Sequence, residues 1–214
     1  FFYEPSAHLA DPLRIFKVWE GGMAFHGGLL GVTVAMLLFA RVNGLNPFAI
    51  SDLVSASVPI GLFFGRIANF INGELWGRAT DVPWAMVFPH PLAGDVPRHP
   101  SQRYEAVLEG LLLLIILRIA IVRGALARRG MVTGLFVAGY GIARFTVEFW
   151  REPGEGFIYF GWLTHGQILC IPMLIVGGVF IAYALRRPPT PAAAAAACAR
   201  RPPSTPTTPR GRRR

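Results

Sequence analysis

Five stretches of the chain are dominated by apolar side chains: Phe25 to Ala40, Leu53 to Ile71, Ala106 to Val122, Met131 to Phe149 and Gln167 to Leu185. Each approaches the ~20 residues a helix needs to cross a hydrocarbon layer ~30 Å thick. The first is short for a crossing unless Gly27 and Gly28 lie inside the apolar layer. Backbone polar groups find no partners in lipid, and none of these runs alternates as a barrel strand does, so helices are the workable solution. The pattern predicts an all-α protein, a polytopic transmembrane bundle with five helices in this sequence. Between the second and third runs, Gly73 to Tyr104 is long and rich in Pro, Trp and Gly, which predicts a small folded external cap, with a short strand around Ala85 to Phe88. No internal repeat is visible.

Composition supports a lipid solvent: 53% of the 214 residues are hydrophobic and 15% charged, with a mean hydropathy of +0.44. The net charge of +9 comes from 21 basic residues, all arginine but Lys17, which do not lose their charge at relevant pH. Five helices would place Arg41, Arg123, Arg128, Arg129, Arg186, Arg187 and the arginines of the C-terminal tail on one side, with no clear acid among them. Glu4, Asp11, Glu20, Glu74, Asp81, Asp95, Glu105, Glu152 and Glu155 fall on the other. Basic residues accumulate on the cytoplasmic side, so the acidic side is read as external. The expected organisation is a membrane domain over 1–187, with its cap at about 73–104, and a disordered basic cytoplasmic tail over 188–214. Cys170 and Cys198 suggest neither a disulfide nor a metal site. The chain starts at Phe1 without a basic leader, and is read as a piece lacking its N-terminal part.

Polar residues inside the apolar runs carry the candidate chemistry. Near the end of the second run the chain reads Gly65-Arg66-Ile67-Ala68-Asn69-Phe70-Ile71-Asn72-Gly73-Glu74-Leu75-Trp76-Gly77. On a helix Arg66, Asn69 and Gly73 share a face, giving a cation, an amide and a gap for a close-approaching ligand. An unpaired arginine in the bilayer costs at least ~2.5–3.5 kcal/mol, so Arg66 needs an anion: either Glu148 or Glu74, or a ligand. In the fourth run Arg144, Glu148 and Arg151 are spaced i, i+4, i+7. Two arginines flank one acid, and Arg66 would raise the surplus to two positive charges, suited to a phosphate group; the alternative is that Glu148 merely satisfies Arg144.

His26, between the pairs Gly21-Gly22 and Gly27-Gly28, is the near-neutral proton acceptor at the head of the first helix, or else a packed structural residue. At His99-Pro100-Ser101-Gln102-Arg103-Tyr104-Glu105, Ser101 is expected to cap the third helix with Glu105 in its first turn. Contact of Ser101, Gln102 or Tyr104 with a headgroup is the other reading, while a Ser/His catalytic pair has no nucleophile elbow to support it. No nucleotide-binding loop, Asp cluster or zinc-protease motif is present, so no metal or cofactor is expected. Besides an enzyme, an anion or phospholipid transporter without catalysis, or an assembly subunit with buried ion pairs, would carry intramembrane arginines.

Together these residues resemble one family, the prolipoprotein diacylglyceryl transferases. Gly65-Arg66-x-x-Asn69-Phe70-x-Asn72-Gly73-Glu74-x-x-Gly77 is similar to that family's signature. Gly22-Met23-Ala24-Phe25-His26-Gly27-Gly28, Arg98-His99-Pro100-Ser101-Gln102, Tyr140-Gly141-x-x-Arg144-Phe145-x-x-Glu148-Phe149-x-Arg151 and Gly166-Gln167-Ile168-Leu169 follow in the family's order, from about Asp11 to Leu185. Arg103, usually Leu in the family, and Gly154, often Asp, depart from it. The resemblance implies seven helices in the whole protein, and transfer of diacylglyceryl from phosphatidylglycerol to the lipobox cysteine of a prolipoprotein signal peptide at a bacterial inner membrane. It implies neither cofactor nor nucleic-acid partner. Arg66 and Arg144 are the expected catalytic residues, with His26 as candidate base. Asn69, Asn72, Glu74, Gly77, Ser101, Gln102, Tyr104, Glu148 and Arg151 are the expected substrate-binding set.

Overall fold

The computed structural model describes residues 25–152, 158–159 and 163–190, and the chain divides into two compact units, Phe1–Ile50 and Ser51–Arg214. The first unit holds α1 (Phe25–Val42), an apolar helix with Leu30, Leu38 and Val42 on its surface. It stops where Leu45 N donates to the Ala40 carbonyl (2.8 Å) and Gly44 N to that of Arg41 (3.3 Å), a paired closure that satisfies the last carbonyls. Asn46 then caps the next helix, its Oδ1 accepting from Phe48 N (3.0 Å), with Pro47 in the first helical position where a missing N–H costs nothing.

That helix, α2 (Pro47–Ile71), belongs for most of its length to the second unit. It ends by the same closure: Gly73 N donates to the Phe70 carbonyl and Glu74 N to that of Asn69, both 3.1 Å. Gly73 has φ +67°, so the signature glycine is the helix stop; the ligand gap expected at this position is replaced by a turn that only glycine enters cheaply.

The cap follows. Its expected strand does not form: Met86 makes a single bridge to Arg98, and Pro83 and Pro89 on either side offer no N–H to extend it. Phe88 is buried against Phe70 and Trp76 instead, and a 3-10 turn occupies Pro91–Ala93.

The third apolar run is helical from Ser101 to Val122, but in three pieces: α3 (Ser101–Glu105), a π-helical stretch Ala106–Leu112, and α4 (Leu113–Val122). Next come α5 (Met131–Val147), the short antiparallel pair β1 (Ile158–Tyr159) and β2 (Leu163–Thr164), and α6 (His165–Arg186). Small residues at Gly134 and Gly177 bring α5 and α6 into backbone contact, the packing mode that suits helices in lipid. Leu113, Leu117 and Val132 form the buried core between α4 and α5.

One acid stands where none was expected. Asp52 on α2 is buried at the arginine-rich end of the unit, accepting from Gly130 N (2.7 Å), Thr133 N (2.8 Å) and Thr133 Oγ1 (2.8 Å), so it supplies partners to the N-terminus of α5. At the same end Arg128 Nη1 donates to the Leu185 carbonyl (3.2 Å).

Two helices, Pro47–Ile71 and Gly166–Arg186, are long and apolar enough to cross a membrane, and Gly27–Val42 and Met131–Val147 are shorter apolar helices. Phe64, Ile71, Ile175 and Val179 are each more than 60% exposed, a surface that favours lipid over water. The protein is thus helical and membrane-capable. Residues 1–24 and 191–214, which carry Glu4, Asp11, Glu20 and the basic tail, lie outside the described residues, as do Gly154 and Glu155.

Candidate active site

At the end of the second unit away from Asp52, three arginines and three glutamates from α2, the α3 and π-helical stretch, and the end of α5 with the segment beyond it form one ion-pair cluster. Arg66 lies near the end of α2, its Nε 3.1 Å from Glu105 Oε2 and its Nη2 3.1 Å from Glu109 Oε2. The Nε–H is aimed at Glu109 Oε2 (3.3 Å), so Glu105 Oε2 is an ion-pair contact without a directed hydrogen bond. Arg144 in the last turn of α5 spans two acids, with Nη1 3.0 Å from Glu105 Oε1 and Nη2 2.9 Å from Glu148 Oε2. Arg151 Nη1 donates to the same Glu105 oxygen at 2.8 Å. Glu105 is therefore the hub, fully buried, with all three guanidinium groups on it.

The local sequence explains these placements. Glu105 and Glu109 sit four residues apart, across the change from α to π geometry, and both face the arginines. Helix α5 ends at Val147, so Glu148 lies at its cap and Arg151 beyond it, not on one continuous helical face as the i, i+4, i+7 spacing suggests. Arg151 is brought back by its bridge to Gly77. Gly77 N donates to the His99 carbonyl and Arg78 N to that of Trp150, both 2.9 Å. A Cβ on Gly77 would collide with the Trp150 carbonyl and lie 2.7 Å from that of His99, so the bridge requires glycine.

Glu148 is held from α6. Thr164 Oγ1 donates to Glu148 Oε1 (3.0 Å) and also accepts from Gln167 N (3.3 Å), while Gln167 Oε1 accepts from Thr164 N (3.1 Å), a reciprocal capping box. A Cβ on Gly166 would fall 2.6 Å from Glu148 Oε1, so glycine leaves room for the carboxylate against the first turn of α6.

The remaining expected site residues brace the loop beside the cluster. Asn69 Nδ2 and Asn72 Nδ2 both reach Glu74 Oε1, at 2.8 and 3.4 Å. Gln102 Nε2 donates to the Glu74 carbonyl (2.5 Å) and Ser101 Oγ to that of Leu75 (2.9 Å). Ser101 is thus not the helix cap; Pro100 stands there without a side-chain bond, and the Ser101 hydroxyl is committed to the signature loop. Tyr104 OH lies 2.7 Å from Trp84 Nε1 and 3.1 Å from His99 Nδ1. Burial lowers the His99 pKa from its usual value. His26 is the second residue of α1, and its side chain lies outside the described residues.

The charge balance corrects the expectation from sequence. Arg66 pairs with Glu105 and Glu109, not with Glu148 or Glu74, and three carboxylates meet three guanidinium groups, so the expected surplus of two positive charges is absent. Glu105 is no mere first-turn charge, and Glu109 is a cluster residue that the sequence motifs do not single out. Their spacing of four on an otherwise apolar run, facing unpaired arginines elsewhere, is the signal that marks them. The cluster is neutral yet retains donors: Arg66 Nη1, Arg144 Nε and Arg151 Nη2 make no bond among the described residues. The three arginine side chains keep 17–21% exposure. Such a set can take an anion by exchange with a carboxylate.

Comparison with known proteins gives this cluster a context. A family model described as prolipoprotein diacylglyceryl transferase matches residues 1–183. The phosphatidylglycerol–prolipoprotein diacylglyceryl transferase of Methylocella silvestris is 57% identical over 188 residues, 87% of this chain and 68% of that protein. The protein of the same name from Methylococcus capsulatus is 57% identical over 188 residues, 87% of this chain and 70% of the relative. That of Agrobacterium fabrum is 55% identical over 179 residues, 82% and 63%. The chain spans about two thirds of the length of these relatives. With the family model running through the signature loop, the arginine cluster and nearly all of α6, the chain belongs to the prolipoprotein diacylglyceryl transferase family.

Proposed function

We propose that this chain is a membrane diacylglyceryl transferase of lipoprotein biogenesis, which moves the diacylglyceryl group of phosphatidylglycerol onto the lipobox cysteine of a prolipoprotein signal peptide. The observation that carries the site is the meeting of Arg66, Arg144 and Arg151 around Glu105. In the reaction the thiol sulfur bonds to the terminal glyceryl carbon while that carbon's bond to the phosphate oxygen breaks. The electron pair leaves with glycerol phosphate, the thiol proton is released, and a thioether remains.

Negative charge therefore grows on phosphate oxygens, where fixed guanidinium groups stabilise it best. Arg66 and Arg144 fill that role, and Glu148 and Arg151 orient them. A thiol of pKa ~8.5 is mostly protonated near neutrality, so it needs a base or a positive field. His26 is the candidate base and the field of Arg144 its rival. The braced loop of Asn69, Asn72, Glu74 and Gly77, tied to Ser101 and Gln102, fixes where the headgroup sits, with Tyr104 beside it. The phosphate ester is its own leaving group, so neither nucleotide nor metal is called for.

Within the second unit Arg123, Arg128, Arg129, Arg186 and Arg187 lie at the helix ends opposite the cluster, which supports a cytoplasmic arginine end and a site toward the external leaflet of a bacterial inner membrane. Five membrane-crossing helices fit this arrangement. The test is thioether formation by the full-length protein, supplied with phosphatidylglycerol and a lipobox peptide. Arg66→Ala and Arg144→Ala are expected to abolish product with the fold retained. Turnover like wild type in either variant rejects the catalytic role of that arginine; lipid binding without thioether in the unaltered protein means transport.

A further inference from the structure

Glu109 is the part of the cluster for which the transfer reaction has no task. Its side chain is fully buried, and it lies in the π-helical stretch Ala106–Leu112, a geometry that recurs at functional sites because the wider turn displaces side chains from the regular helical path. The three glutamates carry six carboxylate oxygens, and these are held unequally. Glu105 Oε1 accepts from Arg144 and Arg151, and its Oε2 is in contact with Arg66. Glu148 Oε1 accepts from Thr164, and its Oε2 is in contact with Arg144. Glu109 Oε2 accepts only from Arg66, and Glu109 Oε1 has neither a hydrogen bond nor an ion-pair contact among the described residues. A buried carboxylate oxygen left bare is an uncommon and costly arrangement.

Charge gives the arrangement a use. The cluster is neutral as it stands, and a phosphodiester brings one further negative charge while the phosphate monoester product brings up to two. A neutral cluster takes up such a charge at least cost when one of its own carboxylates gives way. Glu105 is tied to three cations from two helices and the segment beyond α5, and Glu148 is fastened to α6. Glu109 has one cation and one free oxygen, so its displacement breaks the fewest contacts.

We propose that Glu109 is the exchangeable counter-ion of Arg66: it occupies the guanidinium in the empty site, yields it to the phosphate group of the lipid, and reclaims it to expel the phosphate product. It acts through Arg66 and is a positioning residue. The inference rests on the reading that Arg66 meets the phosphate. A competing anion weakens the binding of both substrate and product, so its removal tightens both, whereas a purely structural partner would weaken both or neither when removed.

The probe is glycerol phosphate as an inhibitor of transfer by the full-length protein in vesicles of fixed lipid composition. Glu109→Gln is expected to tighten inhibition by about tenfold, the effect of ~1.4 kcal/mol, to lower the KM for phosphatidylglycerol, and to slow kcat through retained product. Glu109→Asp keeps the charge and is expected to keep the weaker inhibition. Glu109→Ser, which leaves room for water beside the guanidinium, is the second neutral variant should Glu109→Gln not fold. Inhibition that is unchanged or weaker in the neutral variants, while Arg66→Lys relieves it, overturns the exchange and leaves the Arg66 reading standing. Inhibition indifferent to Arg66→Lys as well overturns the Arg66 reading and the exchange with it.

Discussion

Arg66 and Arg144 come from different helices and grip opposite oxygens of one carboxylate, Arg66 Nε lying 3.1 Å from Glu105 Oε2 and Arg144 Nη1 3.0 Å from Glu105 Oε1. Their separation is thereby set by the width of a carboxyl group. Replacing Glu105 by Gln leaves three partly exposed guanidinium groups to two acids, and removing one partner of a fully buried ion pair costs about 3–5 kcal/mol, the upper bound here. Glu105→Gln is expected to lower the thermal unfolding midpoint in detergent and to reduce transfer by at least tenfold. A variant that melts like the wild type contradicts the hub role.

Gly166 and Gly77 are expected to tolerate no side chain, for different reasons. At Gly166 the added methyl would press on Glu148 Oε1 at 2.6 Å, so Gly166→Ala pushes the acid off Arg144 with the backbone intact. Transfer should fall while stability drops by no more than about 1–3 kcal/mol, the usual cost of overpacking. At Gly77 the methyl meets backbone carbonyls of both Trp150 and His99, so the bridge that returns Arg151 must open. Gly77→Ala is expected to lose activity together with protease resistance of the cap. Equal behaviour of the two variants would mean that the cap and the cluster are not separately held.

His99 carries a pH dependence whose sign follows from its burial. Trp84 Nε1 can only donate, so Tyr104 OH accepts from it, and the same hydroxyl meets His99 Nδ1. Burial lowers the pKa of this ring, so the unfolded chain binds the proton more readily than the folded one. The folded state then loses stability as pH falls below about 6.5 and keeps it above. Melting curves between pH 7.5 and about 5 should show the unaltered protein falling more steeply than His99→Gln. Parallel curves would mean that His99 does not titrate in this way.

The apolar runs disclosed the helices because burial in lipid leaves little choice of structure, but their ends are set by single polar residues. Asn46 caps α2, whose first residue Pro47 lies six residues before Leu53, and Thr164 with Gln167 starts α6 at His165. Arg66, Arg144 and Arg151 are legible in the sequence as charges that need partners. Which acids answer them is not, because it depends on how Glu105 and Glu109 are turned, and the π-helical stretch breaks the 3.6-residue period on which such a forecast rests. The charge balance expected from sequence fails for that reason: it omits these two acids.

Asp52 separates stability from chemistry more cleanly than any residue of the cluster. It stands 14 residues before Arg66 on α2, about 21 Å along the helix axis, at the far end of the unit. Its two oxygens accept three hydrogen bonds from Gly130 and Thr133, and its charge faces the N-terminus of α5. In Asp52→Asn one oxygen remains for Thr133, but the amide nitrogen replaces the oxygen that accepted from Gly130 N and sets a donor against a donor. The expected loss is about 1–3 kcal/mol of stability, visible as a lower melting midpoint. Inhibition by glycerol phosphate is expected to stay at the wild-type value, since no atom of the arginine cluster has changed partner. A normal melt would show that Asp52 does not hold the N-terminus of α5 as its hydrogen bonds indicate, and altered inhibition would show that the two ends of α2 are not independent.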